Sequence, residues 1–381
     1  MNARNPRFPL VDSVRAIAAL MVFAYHATFA RGLFEPGVFG GWRGQLGIGV
    51  AIFFVVSGFL LYRPFAAARF DGVPPPPLVP YAVRRVLRIV PAYWVALPIV
   101  ALMLQLSDVL PPHGFIYFGF LQVYDKESIV GGIGPAWTLC VEVTFYAALP
   151  LYALLARRIG GSFLRSELSL LAAVAAASIV WKVLVLYAVP TDTPGWLPAQ
   201  VTLPAFADHF AVGMALAVIS VSGAGRPERI DRFPWLPWLL ALVGYAVISS
   251  GIPDLGVRGD SLWRHEWRAP IGALVLAPAI FGDPGRGAVR WLMSRRWLLW
   301  LGSISYGFYL WHQPIILRLS RWGWVESPGK PVLALVAFVA TTCIAALSWY
   351  VVERPALRLG RERFGRRGAD EVDRPVPAGA A

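Results

Sequence analysis

The sequence predicts an all-α membrane protein, a polytopic bundle of about ten transmembrane helices with both termini in the cytoplasm. Composition is the first indication, because 57% of the 381 residues are hydrophobic and only 15% are charged, whereas soluble domains carry about 25% charged residues. The second indication is a succession of apolar segments long enough to cross a bilayer. The third is the placement of the basic residues between those segments.

Hydropathy places the predicted spans, of which the third, seventh and eighth are short or contain proline. The ten segments are 11–30, 46–65, 91–107, 137–156, 168–189, 201–221, 235–250, 267–282, 297–317 and 332–353. The apolar and aromatic segment 108–136 is broken by Pro and Gly, which predicts a re-entrant segment or an extracytoplasmic cap. Residues 1–355 are expected to form one membrane domain, and the Arg-rich residues 356–381 a disordered cytoplasmic tail.

The basic residues support this topology. With the N-terminus in the cytoplasm, most of the 35 Lys and Arg residues fall on the cytoplasmic side, as the positive-inside rule requires. The net charge of +13 does not indicate a nucleic-acid partner, because the Arg residues lie between spans and form no single patch. The two cysteines lie in apolar spans, so no disulfide framework is expected.

The first span carries two ionisable side chains, Arg15 and His26, on one helix face. Their spacing corresponds to about 1100° of helical rotation, so they lie within about 20° of one stripe and about 16 Å apart along the axis. Ionisable side chains inside a span are costly and usually face a protein interior or a wet cavity. One stripe therefore presents a cation near one membrane face and an imidazole toward the other.

Five ionisable residues on four predicted spans share one depth, about 6–11 Å below the outer surface at 1.5 Å per residue. They are His26, Glu142, Asp208, His209 and His312. A shared layer predicts a polar cavity that opens outward. Each residue also has a structural interpretation, since a membrane histidine often bonds a neighbouring helix and a carboxylate can serve in an ion pair.

A second group of ionisable residues lies at the predicted cytoplasmic side. It contains Arg15, Glu353 and the basic run Arg84, Arg85 and Arg88. Guanidinium groups pair bidentately with phosphate, so this group suits a phosphorylated donor. The run has an alternative role as a topology signal and lipid-headgroup anchor.

Transfer of a group across the membrane accounts for both layers. A histidine in the outer cavity can take the proton of a hydroxyl acceptor, and Glu142 can orient that imidazole or stabilise its charged form. Tyr306 and Tyr309 either contact substrate or pack as ordinary helix neighbours. No metal site is predicted, because the histidines lack close ligand spacing and pair with no cysteine.

Six short motifs follow one another along these spans. They are LVDSVRAIAALMVFAYH (10–26), FFVVSGF (53–59), RRVLRIVP (84–91), WTLCVEVTFY (137–146), SYGFYLWHQP (305–314) and ERP (353–355). Each motif alone is weak, but six in order are highly specific. Over residues 8–355 the chain resembles the acyltransferase 3 family of integral-membrane O-acyltransferases.

The resemblance implies transfer of an acyl group, commonly acetyl, from cytoplasmic acyl-CoA to a hydroxyl of a carbohydrate, cell-envelope glycan or secondary metabolite. It implies an enzyme of the bacterial cytoplasmic membrane that uses acyl-CoA as a substrate and holds no permanent cofactor. His26 is the expected general base, with Arg15 and Glu142 as further catalytic residues. The expected donor-binding residues are Arg84, Arg85, Arg88 and Ser57, and the expected acceptor-binding residues are Trp137, Asp208, Tyr306, Tyr309 and His312.

One departure from the family pattern stands in the second span, where Ala51 replaces a common acidic residue. Any role of that carboxylate must be absent or carried elsewhere, for example by Asp208. Longer members append an SGNH-type domain, and the short tail predicts a stand-alone membrane domain here. The sequence leaves open the acceptor, the acyl length, the oligomeric state and a covalent acyl-enzyme on Ser57, Tyr306 or Tyr309. The alternative function is a proton-coupled carrier or exporter of sugars or acylated products.

Overall fold

The computed structural model describes residues 8–29, 38–109, 113–223, 227–251, 256–322, 330–360 and 362, and these residues contain helices and no strands. The longer helices are α1 (Leu10–Phe29), α2 (Ile48–Phe70), α3 (Leu78–Leu104), α4 (Trp137–Arg158), α5 (Phe163–Tyr187), α6 (Leu203–Ser222), α7 (Leu236–Ser249), α8 (Gly256–Ile280), α9 (Arg296–Ser303), α10 (Ser305–Arg321) and α11 (Lys330–Ser348). Shorter helices are Val38–Gly44, Gly114–Phe118, Trp196–Gln200, Pro227–Arg232 and Ala288–Met293. A π-helical turn, Trp349–Glu353, extends α11.

Seven helices in the described part of the chain are long and apolar enough to cross a membrane, namely α1 to α6 and α11 with its extension. Three predicted spans lack that support. The seventh is a helix of 14 residues, about 21 Å long where a bilayer core needs about 30 Å. The eighth, predicted at 267–282, covers only the second half of α8, which carries too many charged residues for a span. The ninth is divided at Ile304 into α9 and α10. The count of ten and the location of the termini stay predictions.

The basic run lies on a helix rather than in a loop. The third span was predicted to begin at residue 91, but α3 begins at Leu78 and continues through Pro91 and Pro98. The helix tolerates these prolines because neighbouring helices and local adjustments can satisfy the freed carbonyl groups. Helix also continues to Gly360, past residue 356 where the tail was predicted to begin. The rest of that tail, apart from residue 362, lies outside the described residues.

Helices α2 and α6 pack against each other at the centre of the bundle, and α5 covers the other side of α6. The close approach depends on two glycines. A Cβ atom on Gly58 would overlap the carbonyl oxygen of Phe210, and one on Gly213 would overlap that of Val55. Small residues allow this contact between membrane helices. Helix α1 packs against α2 on one side and against α9 and α10 on another, so it lies inside the bundle.

The segment between α3 and α4 folds into short helical turns. Tyr117 anchors it, because its hydroxyl donates to Asp108 at 2.7 Å and its carbonyl accepts from the Tyr93 hydroxyl at 3.1 Å. Burial, reinforced by the hydrogen bond to Asp108, raises the pKa of Tyr117 to about 12, so the phenol stays protonated and able to donate. Residues 130–132 and 134 of this segment line a cavity that is described next.

Candidate active site

Two polar cavities lie on either side of Tyr309 and Val50, which line both. The first, of about 130 Å³, contains Arg15, Arg85 and Arg88 and is termed the arginine cavity. The second, of about 470 Å³, contains His26, His209 and His265 and is termed the histidine cavity. Helix α1 supplies Arg15 to one and His26 to the other, as the shared stripe predicts.

The arginine cavity carries more positive than negative charge. Its described lining contains three arginines and one carboxylate, Glu142. Nε of Arg85 and Nη2 of Arg88 are buried without a hydrogen-bond partner among the described residues. Buried donors are normally satisfied, so these two are suited to an anionic ligand. Arg84, predicted with them, is exposed and does not line the cavity.

Glu142 lies in the arginine cavity, not in a layer with His26. Its Oε1 accepts hydrogen bonds from Ser57 Oγ and from the Tyr146 hydroxyl, each at 2.7 Å. The expectation that Glu142 orients the His26 ring is therefore not met. Residue depth along a span did not predict this, because depth does not show which neighbouring helices face Glu142.

The His26 ring is oriented by His312 and by its own helix. Nδ1 of His26 lies 3.0 Å from the Val22 carbonyl oxygen and 3.0 Å from Nε2 of His312. Nδ1 of His312 lies 2.7 Å from the Tyr309 carbonyl oxygen. Carbonyl oxygens only accept, so Nδ1 of each neutral ring carries the hydrogen, and the single Nδ1–H of His26 is shared between the Val22 carbonyl oxygen and Nε2 of His312. Nε2 of His26 is then left with its lone pair, as a general base requires.

The aromatic residues predicted to bind substrate lie around the two cavities. Trp137 lines the histidine cavity and packs against Phe206. Tyr306 lines the arginine cavity and donates to the Ile89 carbonyl oxygen at 2.7 Å. The Tyr309 hydroxyl lies 2.8 Å from Thr138 Oγ1.

Asp208 is buried behind the histidine cavity instead of lining it. It accepts from Lys182 Nζ at 3.0 Å, and its Oδ2 lies 3.0 Å from Nδ1 of His209. Ligand atoms of Asp208, His209 and His265 lie within 4.8 Å of one another, a spacing that could hold a metal ion. The sequence analysis predicted no metal site. It did not identify this group, because His265 lies on α8, far along the chain from Asp208 and His209. Lys182 already supplies a cation there, so we interpret the group as an ion-pair network.

Among the residues of the histidine cavity that sequence reasoning missed are His265 and Arg268. Both lie on α8, whose charged residues lower its mean hydropathy, so hydropathy did not identify its first half as helix. Their spacing of three residues places them on one helix face, which was the available signal.

A family model described as an acyltransferase domain matches residues 9–350. The chain belongs to this acyltransferase family. It is 27% identical to the YrhL protein of Bacillus subtilis over 94% of this chain and 56% of that protein. It is 24% identical to the peptidoglycan O-acetyltransferase OatA of Listeria monocytogenes over 92% of this chain and 56% of that protein. The acyltransferase MdmB of Streptomyces mycarofaciens is 26% identical over 95% of both chains.

The chain thus spans just over half the length of YrhL and OatA and nearly all of MdmB. No solved structure matches it.

Proposed function

We propose that this membrane protein is an O-acyltransferase that moves an acyl group from acyl-CoA to a hydroxyl of a carbohydrate or glycosylated metabolite. The proposed acyl group is acetyl. The observation that carries the proposal is that α1 presents Arg15 in one cavity and His26 in an adjacent one. Relatives named as peptidoglycan O-acetyltransferase and acyltransferase support the reaction class.

The donor occupies the arginine cavity in this proposal. Arg85 and Arg88 pair with the phosphates of coenzyme A, because guanidinium binds phosphate through two parallel hydrogen bonds. The thioester points toward Tyr309 and Val50, which separate the cavities. Arg15 holds the donor in place, while Glu142 fixes Ser57 and Tyr146 on the cavity wall.

The acceptor occupies the histidine cavity. Nε2 of His26 takes the hydroxyl proton as the oxygen attacks the acyl carbon. The new ester C–O bond forms, the thioester C–S bond breaks, and the proton passes from His26 to the departing thiolate. Direct transfer of this kind needs no covalent acyl-enzyme. The protein faces acyl-CoA on the cytoplasmic side of a bacterial cytoplasmic membrane in this proposal, with both termini inside.

Binding of acetyl-CoA to purified protein in lipid nanodiscs tests the donor site. The double variant Arg85→Gln, Arg88→Gln should weaken binding at least about tenfold, the loss of one or more charge-assisted hydrogen bonds. Arg84→Gln is the matched control on the same helix, and it should leave the Kd within about twofold because exposed charges contribute little. Unchanged binding by the double variant would contradict the donor site. A wild-type protein that does not bind acetyl-CoA but carries sugars into vesicles would favour the transporter alternative.

A further inference from the structure

The histidine cavity is positively charged. Besides its three histidines it is lined by Arg268 and Arg321, and its described lining contains no Asp or Glu. A cavity that receives a neutral sugar hydroxyl has no need of guanidinium groups, whose burial is costly. The positive charge therefore indicates that the acceptor carries a further group, besides its hydroxyl, that interacts with a guanidinium.

Arg268 is the more enclosed of the two arginines. Its Nη2 donates to the amide oxygen of Gln45 at 3.0 Å. Its Nε is buried and has no hydrogen-bond partner among the described residues. The described residues also place no carboxylate within ion-pairing distance of Arg268. Arg264, one turn earlier on α8, does pair with a carboxylate, that of Asp260 at 3.4 Å.

The acidic side chains of Asp208 and Glu266 are paired with another cation. Lys182 Nζ lies 3.0 Å from Asp208 Oδ2 and 2.5 Å from Glu266 Oε1. Glu266 lies only two residues before Arg268, but the helix directs it to Lys182, away from the cavity lining. Lys182 thus holds both carboxylates behind the cavity wall, and Arg268 keeps an uncompensated charge.

We propose that the acceptor is anionic, with a carboxylate or phosphate group that binds Arg268 while its hydroxyl reaches Nε2 of His26. This inference rests on the proposed function and specifies its acceptor as a uronic-acid-type or phosphorylated glycan unit. A guanidinium group orients such an anion through directional hydrogen bonds. Arg268 is then the residue that selects charged over neutral sugars, and His26 the residue that acts on the hydroxyl.

The test compares three probes that differ only at C6: methyl β-D-glucoside, methyl β-D-glucuronide and methyl β-D-glucoside 6-phosphate. Their binding to the full chain is measured by calorimetry in uncharged-lipid nanodiscs, without donor. We expect at least one anionic probe to bind about tenfold more tightly than the neutral glucoside. Tighter glucuronide binding identifies a carboxylate acceptor, and tighter phosphate binding a phosphorylated one.

Arg268→Gln should remove this preference, and Arg264→Gln, the matched control on the same helix, should retain it. Acetyl-CoA binding at the arginine cavity, measured in parallel, reports whether Arg268→Gln is folded. Arg268→Lys keeps the positive charge and should retain part of the preference for anionic probes. Equal affinity for neutral and anionic probes, absence of binding by all three, or equal losses in the two Gln variants would overturn the proposal. The probe titrations contain no acetyl-CoA, so they test the acceptor site alone. Failure of the wild type to bind acetyl-CoA in the parallel measurement would refute the proposed function independently of this inference.

Discussion

At the scale of single residues, the proposed chemistry depends on which nitrogen of His26 carries its hydrogen. The Val22 carbonyl oxygen and Nε2 of His312 both face Nδ1. His312 is in turn fixed by the Tyr309 carbonyl oxygen, and it is buried. A histidine without such partners would share its proton between both nitrogens and present the base for only part of the time.

His312→Ala should therefore lower kcat by at least about tenfold, because His26 loses the group that fixes its tautomer and ring orientation. The KM for acetyl-CoA should change little, since His312 does not line the arginine cavity. His312→Gln places an amide oxygen near the lost nitrogen and should recover part of kcat. Steady-state kinetics of both variants measure this split. An equal kcat for His312→Ala and wild type would show that His312 only packs.

At the scale of helices, the site depends on how closely α2 approaches α6. Helix α2 carries Ser57 and Val50 of the cavity walls, and Gly58 and Gly213 permit its contact with α6. The motif that contains Gly58 was visible in the sequence. The sequence did not show why position 58 is a glycine, because Phe210 lies far along the chain and only the packed structure brings its carbonyl oxygen against Gly58.

Gly213→Ala should destabilise the protein by about 1–3 kcal/mol, the usual cost of an extra carbon in a tightly packed contact. Gly195→Ala is the control, since a Cβ there meets nothing within 4 Å and its φ is −80°. Unfolding in detergent, followed by circular dichroism against denaturant concentration, compares the two variants. Equal stability of both would mean that α2 and α6 are not in close contact.

At the scale of the whole molecule, the sequence predicted helical class, family and the shared stripe of Arg15 and His26. It did not predict the membership of each cavity. Depth along a span placed Glu142 with His26, but helix packing places it with Ser57 and Tyr146 in the arginine cavity, and a one-dimensional pattern does not contain that packing. Helix α8 was placed too late, at 267–282, because charges in its first half conceal it from hydropathy. The same polar half of α8 contributes His265 and Arg268 to the histidine cavity.

In the proposed mechanism, donor and acceptor occupy separate cavities, and His26 acts only in the chemical step. Residues of both cavities meet at Tyr309 and Val50. A substitution at His26 should therefore separate binding from chemistry, whereas a substitution in the arginine cavity should affect binding.

Equilibrium binding and turnover of radiolabelled acetyl-CoA by wild type and His26→Ala in liposomes separate these two roles. We expect the two proteins to bind acetyl-CoA with the same Kd, and label transfer or hydrolysis to fall by about 10²- to 10⁴-fold in the variant, the usual contribution of a general base. Wild-type turnover in His26→Ala, or loss of acetyl-CoA binding in a folded variant, would contradict this mechanism.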